Sequence, residues 1–283
     1  MKTALLFITL LVVTSVLTIA CKSENKAVTQ EILPVPKEVL KPSEDVVFVL
    51  DVSTSMLAQD FVPNRLEAVK SMLKKMIAER EPQQQMAIVL FEGEAFVLCP
   101  LTKDSIELMK QVHLIEANKM EGGTAIGSGI MAGLYELSKS NSLKKDILIL
   151  TDGVNNSGEY SPDFAAQIAN QQHIQIHAFG IGCNGTALSP VAKRPDNTFV
   201  FGQMAVEIDE KTLKKVGKQT QGSYLRVTCS ADLETLQPLN SLIEYSNPTA
   251  IQNKLDSFPS EVLDSFWQEL HLKNEIAFSR FNS

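Results

Sequence analysis

From residue 46 onward, the hydrophobic positions of this chain fall into two alternating patterns. Short continuous apolar runs at 46–50, 86–91 and 147–150 predict strands that are buried on both faces. Longer segments such as 64–80 carry apolar residues at the spacing of an amphipathic helix. This alternation predicts an α/β fold, in which a Rossmann-like, open, mostly parallel sheet is covered by helices on both faces.

The other elements follow the same two patterns. Residues 86–91 and 95–98 flank the sequence Glu92-Gly93-Glu94, which predicts a hairpin and therefore one antiparallel edge strand. The stretch 184–208 has no clear period, and its residues 198–201 predict an inserted hairpin. Further helices are predicted at 104–116, 125–138, 162–171, 209–218 and 231–244, and further strands at 174–181 and 222–227.

The first residues have the pattern of a targeting segment. Lys2 precedes an apolar stretch at 4–20, and Cys21 follows it directly. The sequence Leu-Thr-Ile-Ala-Cys at 17–21 resembles the lipobox of bacterial lipoproteins, which implies a lipid on Cys21. An uncleaved transmembrane helix is the alternative interpretation, because roughly 17–25 apolar residues span a bilayer. Both predict a protein that is anchored to a membrane of the bacterial cell envelope and faces outside the cytoplasm.

These patterns predict four regions along the chain. Residues 1–21 form a lipoprotein-type signal peptide that ends at Cys21, and residues 22–43, with mixed Lys, Pro, Glu and Thr, form a tether. Residues 44–245 form one α/β domain. Residues 246–283 form a C-terminal tail that is partly helical.

Composition excludes some partners and leaves the cysteines open. The chain has 283 residues and a net charge of -7, so we expect no nucleic-acid partner. Apart from Cys21 there are three cysteines, Cys99, Cys183 and Cys229, in a compartment that permits disulfides. One disulfide with a free thiol and three free thiols are both consistent with that number.

Oxygen-bearing side chains follow the predicted strands. Asp51, Ser53 and Ser55 come after the first strand, Asp152 comes after 147–150, and Thr124 follows two glycines. Ligands of open α/β sheets bind beyond the carboxyl ends of the strands, so we expect these groups to meet there. Carboxylate and hydroxyl oxygens suit Mg²⁺, with Mn²⁺ or Ca²⁺ as alternatives. Neutral hydroxyls leave such an ion under-neutralised, which favours an acidic group from another molecule as its last ligand.

The sequence Asp51-Val-Ser-Thr-Ser, with Thr124 and Asp152, resembles the metal-ion-dependent adhesion site of von Willebrand factor A (VWA) domains. The resemblance implies a VWA fold in which the serines and the threonine coordinate the metal directly, and the aspartates directly or through water. It also implies a protein partner that supplies an acidic residue. The segments that resemble the bacterial aerotolerance (Bat-type) branch lie at 50–56, 61–70, 91–96, 100–102 and 208–213.

The Bat-type resemblance implies a role in an aerotolerance or stress complex. Bat-type proteins are typically held by transmembrane helices, whereas this chain carries a lipobox-like segment. In related domains the metal site is coupled to movement of the last helix, which implies such a coupling for the helix predicted at 231–244.

Two other functions are alternatives to metal-dependent binding. Phosphatases of the haloacid dehalogenase type also place an Asp after the first strand, but they need a second Asp two residues later as general acid. Ser53 stands at that position, and a hydroxyl cannot transfer a proton in this way near neutral pH. We therefore expect no enzyme. The remaining alternative is a scaffold whose metal site is vestigial.

Two histidines provide a further test of the strand prediction. His173 and His177 are four residues apart, the spacing of a metal pair on a helix. On the strand predicted here they lie roughly 13 Å apart, too far for one ion. We expect both to be sheet residues near the surface.

Overall fold

The computed structural model describes residues 44–120, 122–228 and 260–282. The predicted signal peptide with Cys21, the tether and the helix predicted at 231–244 lie outside these ranges, as does Cys229. Within the described ranges, none of the helices combines the length and the apolar character that a membrane crossing requires.

In the described residues, eight strands form two sheets. They are β1 (Glu44–Asp51), β2 (Met86–Phe91), β3 (Ala95–Thr102), β4 (Lys144–Thr151), β5 (Gln175–Ile181), β6 (Gly185–Lys193), β7 (Phe199–Val206) and β8 (Tyr224–Val227). The main sheet has the order β3-β2-β1-β4-β5-β8. All its neighbouring strands are parallel except β2 and β3, so β3 is an antiparallel edge strand. The predicted open, mostly parallel sheet with one antiparallel edge is confirmed.

Six α-helices of the described part of the chain accompany the sheet. They are α1 (Arg65–Glu79), α2 (Ser105–Leu114), α3 (Ile126–Ser138), α4 (Pro162–Gln171), α5 (Glu210–Gln219) and α6 (Ser260–Phe281). Four of them begin where a side-chain oxygen accepts a hydrogen bond from a backbone N–H of the first turn. The capping residues are Asn64, Asp104, Ser161 and Asp209.

Apolar side chains fill both faces of the main sheet. Along β1, Val46, Phe48 and Leu50 point to the face that α1 and α2 cover, while Val47 and Val49 point to the face of α3, α4 and α5. This two-sided burial is the reason why the parallel strands are continuous apolar runs and do not alternate with polar residues.

The structure corrects the prediction for the histidines. His177 lies in β5 and is only 5% exposed, because β5 is an interior strand between β4 and β8. His173 lies in the turn before β5 with a φ of 56° and is exposed. The two residues therefore do not share a strand, and only His173 is at the surface.

The stretch after β5 is more regular than its sequence pattern indicated. β6 and β7 form a two-stranded antiparallel ribbon, so the predicted hairpin is confirmed but is longer than residues 198–201. The ribbon contacts the loop after β1, where the Gln59 N–H donates to the Leu188 carbonyl over 2.9 Å.

Helix α6 covers the edge strand β3. Phe96 of β3 packs against Phe278 and Phe281, with ring centroids 5.9 and 4.9 Å apart. The backbone N–H of Val97 donates to the side-chain oxygen of Asn274. These contacts cover backbone and side-chain groups that an edge strand otherwise exposes.

Candidate metal centre

The site lies where the strand order reverses. β1 pairs with β2 on one side and with β4 on the other, so the loops after β1 and β4 leave the sheet side by side. Asp51 is the last residue of β1 and Asp152 follows β4 directly. Asp51, Asp152, Ser53 and Thr124 are buried, whereas Ser55 is exposed, so the site reaches solvent at Ser55.

The loop after β1 is organised around Asp51. Its Oδ1 accepts a hydrogen bond from the Ser53 N–H over 2.9 Å, which turns the chain into a short 3₁₀ helix, Thr54–Leu57. Ser53 precedes this helix, but its hydroxyl makes no capping bond and instead lies 3.0 Å from Ser55 Oγ. The first loop therefore directs two neighbouring hydroxyls to one place.

The loop after β4 joins this arrangement through Asp152. Its Oδ1 accepts a hydrogen bond from Ser55 Oγ over 2.7 Å. Gly153, the next residue, lies between the loops: a Cβ there would be 3.2 Å from Thr124 Oγ1 and 3.4 Å from Asp51 Oδ2. All three loops therefore approach one another around Gly153, and only a residue without a side chain fits at that position.

Two asparagines hold the third loop, which carries Thr124. The Thr124 N–H donates to Asn156 Oδ1 over 2.8 Å, and the Asn156 N–H donates back to the Thr124 carbonyl over 3.1 Å. Asn155 Oδ1 accepts from the Ile126 N–H at the start of α3. Sequence reasoning did not assign these residues, although an Asn pair shortly after a strand-terminal Asp-Gly is a signal for such side-chain caps.

The structure thus brings the five predicted residues, Asp51, Ser53, Ser55, Thr124 and Asp152, to one edge of the sheet. Their role as metal ligands stays a prediction. Among the residues that the structure describes, no group of three or more His, Cys, Asp or Glu side chains could hold a metal ion. The candidate centre has two carboxylates, so it depends on hydroxyls for its remaining donors.

Burial governs the charge of the carboxyl groups here. Burial, and then the neighbouring Asp152, raise the pKa of Asp51 to about 7, against the hydrogen bonds from Ser53 and Thr151. Burial also raises the pKa of Asp152. Burial raises the pKa of the adjacent Glu92 to about 7, with Asp51 adding to the shift. A cation relieves this cost of burying negative charge, and an all-oxygen donor set fits a hard divalent ion.

Arg65 is a component of the site that sequence reasoning missed. Its guanidinium is 2% exposed and donates from Nη1 to Asp152 Oδ2, while Nε and Nη2 bond the two oxygens of Asp60 at 2.7 and 2.6 Å. Arg65 is the first residue of α1, where the helix dipole disfavours a cation. An arginine at the start of a predicted helix therefore indicates that an acidic side chain pairs with it.

An open, mostly parallel sheet with one antiparallel edge strand and helices on both faces defines the class of VWA folds. The sequence profile of the von Willebrand factor type A domain matches residues 45–238, and the chain belongs to this family. An uncharacterised protein from Borreliella burgdorferi is 32% identical over 189 residues, which are 66% of this chain and 55% of that protein. The chain therefore spans little more than half the length of that relative.

Solved structures are similar over the same region. BatB from Bacteroides thetaiotaomicron and an aerotolerance-related membrane protein from Bacteroides fragilis are each 26% identical, with a TM-score of 0.59. The similarity covers 69% of this chain and 95% and 96% of those chains. Proximal thread matrix protein 1 from the mussel byssus, solved with zinc in its adhesion motif, shares the fold at 20% identity, with a TM-score of 0.52 and coverage of 69% of this chain and 43% of that one.

Proposed function

We propose that this protein is a membrane-anchored, extracytoplasmic VWA domain that binds a protein partner through a divalent metal ion. The ion is Mg²⁺, with Mn²⁺ and Ca²⁺ as alternatives, and its last ligand is an acidic side chain of the partner. The observation that carries this proposal is the approach of Asp51, Ser53, Ser55, Thr124 and Asp152 from three separate loops.

The donor set supports binding and gives no support to catalysis. When bound, the ion acts as a Lewis acid that attracts a carboxylate, and the five side chains would supply oxygen ligands to the ion. The hydroxyl of Ser53 stands where a phosphatase-like hydrolase requires a second acid, and it contacts Ser55. No observation favours the hydrolase over the binding module.

Thermal unfolding tests the metal site directly. Mn²⁺ or Mg²⁺ should raise the melting temperature of the wild-type protein, since a ligand of the native state stabilises it by mass action. Asp51→Ala should abolish that rise, whereas Asp163→Ala, which removes a partly exposed carboxylate in an ion pair with Lys215, should retain it. A wild-type protein that melts at the same temperature with and without metal would support the vestigial scaffold instead.

Partner capture tests the second part of the proposal. Proteins that co-purify with the wild-type domain from the cell envelope should be lost when EDTA is added and when Asp51 is replaced by Ala. Undiminished capture in both cases would contradict a metal-mediated contact. The similarity to BatB and to an aerotolerance-related membrane protein supports a Bat-type aerotolerance or stress complex as the setting.

The membrane anchor is proposed from the sequence alone. If Cys21 carries a lipid, labelled palmitate supplied to the producing bacterium should appear in the wild-type protein and should be absent after Cys21→Ser. Retention of Cys21→Ser in the membrane fraction would favour the uncleaved helix.

A further inference from the structure

The Arg65 guanidinium is locked in place more firmly than a surface cation. Asp60 holds it with two parallel hydrogen bonds, and the Asp60 carboxylate also accepts the Cys183 N–H over 3.2 Å. The plane of the guanidinium lies against Gly182, where a Cβ would be 2.7 Å from Arg65 Cζ. Because bidentate pairing and close packing fix the guanidinium, its contact with Asp152 is held in one geometry.

This contact determines how many oxygens Asp152 offers to the centre. Its Oδ2 accepts a hydrogen bond from Arg65, while Oδ1 accepts one from Ser55 Oγ. Asp51 is restrained in a similar way, since Oδ1 accepts from the Ser53 N–H and Oδ2 from Thr151 Oγ1 at 2.5 Å. Neither carboxylate presents two free oxygens to one point.

The number of free oxygens matters for the choice of ion. Ca²⁺ takes six to eight oxygen ligands and commonly uses both oxygens of a carboxylate, whereas Mg²⁺ requires six in a near-octahedral array. Mn²⁺ favours similar octahedral oxygen sites. A centre whose aspartates each give at most one oxygen therefore disfavours the larger ion.

We propose that Arg65 is a positioning residue that sets the metal selectivity of this centre, because it prevents two-oxygen coordination by Asp152 and so disfavours Ca²⁺ relative to Mg²⁺ and Mn²⁺. This inference rests on the proposed metal-binding function. It assigns to the Asp60–Arg65 pair a role in choosing the ion, beyond any contribution of the pair to folding.

The test compares ion affinities in the wild-type protein and in the double variant Arg65→Gln/Asp60→Asn. The double variant removes the guanidinium together with its counter-ion, so no unpaired Asp60 carboxylate remains and Asp152 Oδ2 is released. Mn²⁺ binding is measured by electron paramagnetic resonance, and Ca²⁺ binding by its competition with Mn²⁺. We expect the affinity for Ca²⁺ relative to Mn²⁺ to rise about tenfold, the size of change that outer-shell partners of metal ligands typically produce.

The ratio of affinities separates selectivity from folding. A loss of stability weakens the binding of both ions alike, whereas release of Asp152 Oδ2 changes one relative to the other. Arg80→Gln, which removes an arginine just beyond the opposite end of α1, should leave the ratio unchanged. Asp60→Asn alone, which loosens the guanidinium, should shift the ratio in the same direction by a smaller amount, and it provides the test if circular dichroism shows the double variant to be unfolded.

The outcomes distinguish this inference from the proposed function. If the wild-type protein binds neither Mn²⁺ nor Ca²⁺ and Mg²⁺ does not raise its melting temperature, the metal-binding function itself is wrong. If the wild-type protein binds Mn²⁺ and the folded variants keep the wild-type ratio, the role of Arg65 in selectivity is wrong while the metal site remains.

Discussion

The two ends of the parallel strands both bury carboxyl groups, but they supply them with different partners. At the carboxyl ends, all four side-chain oxygens of Asp51 and Asp152 accept a hydrogen bond. At the amino ends, Asp146 of β4 is completely buried, and neither of its oxygens accepts a hydrogen bond. Asp146 is the exception at its end of the sheet, because Asp45 at the amino end of β1 accepts hydrogen bonds from Gln85 and Ser140 on both oxygens.

The amino-end cluster consists of Asp146, Glu44, Lys144 and His177. Lys144 Nζ lies 2.9 Å from Glu44 Oε1 and 3.9 Å from Asp146 Oδ2, and His177 Nε2 lies 3.8 Å from Asp146 Oδ1. Burial, then the adjacent Asp146, raises the pKa of Glu44 to about 8. A proton on Glu44 removes the repulsion between two buried, ionised carboxylates.

Burial raises the carboxyl pKa values at both ends, so it does not by itself distinguish a functional site from a structural cluster. The grouping of several hydroxyls beside one pair of acids does. At the carboxyl ends, Ser53, Ser55 and Thr124 add neutral oxygens beside the acids, which are further ligands for a cation. The comparison therefore favours the carboxyl ends of the strands as the place for the proposed metal ion.

The largest expected effect is the removal of Arg65 alone. Arg65→Gln leaves Asp60 and Asp152 buried without their cation, and breaking such a pair costs about 3–5 kcal/mol of unfolding free energy. Urea denaturation measures the loss. Adding Asp60→Asn should restore part of the stability, and a single variant as stable as the wild type would mean that Arg65 does not balance these acids.

Metal binding gives the next largest effect. Mg²⁺ at about 100 times its dissociation constant should raise the unfolding free energy of the wild-type protein by about 2.7 kcal/mol. Asp51→Asn should remove this increment, whereas Asp146→Asn, at the amino ends of the strands, should keep it. Equal loss in both variants would show that the two ends do not differ in metal binding.

Asp146→Asn is also expected to change stability by itself. The replacement removes a buried charge that lacks hydrogen bonds and adds an amide donor beside Glu44, so the unfolding free energy at neutral pH should rise by about 1 kcal/mol. Urea denaturation in the absence of metal measures this change. A clear loss of stability would mean that the Asp146 charge has a favourable partner in Lys144.

The smallest effect is the pH dependence that arises from Glu44. Its folded pKa of about 8 lies above the unfolded value of 4.5, so the folded state keeps a proton that the unfolded state loses. The contribution of Glu44 is complete below pH 4.5 and is lost as the pH rises toward 8. Glu44→Gln should make the fall in melting temperature between pH 6.5 and 8 less steep.

The lower limit of pH 6.5 keeps the titration of His177 outside the measured range. Burial, then Lys144, lowers the pKa of His177 from 6.5 to about 4, so its contribution is lost only as the pH falls from 6.5 toward 4. Asp51 and Glu92, with pKa values of about 7, affect stability in the same direction as Glu44. Only the difference between wild type and Glu44→Gln isolates Glu44, and identical slopes would contradict the raised pKa.

The fold and the oxygen cluster were predictable because their signals are local. Residues 46–50 are an apolar run followed by Asp-x-Ser-x-Ser, and both features follow from neighbours in the chain. Arg65 was not predictable in this way, since Asp152 lies 87 residues away and only the folded sheet brings them together. The surface position predicted for His177 is wrong, because no local sequence pattern shows that β8 pairs on the outer side of β5.

Helix α6 begins at Ser260, beyond the region that matches the VWA profile, which ends at residue 238. A shortened protein that stops at residue 238 would keep β3 but lose the helix that shields it. The exposed β3 edge strands of two such molecules could then pair and form a continuous intermolecular sheet, which is the first step toward aggregation. Recombinant production of this domain should therefore retain the chain through residue 282.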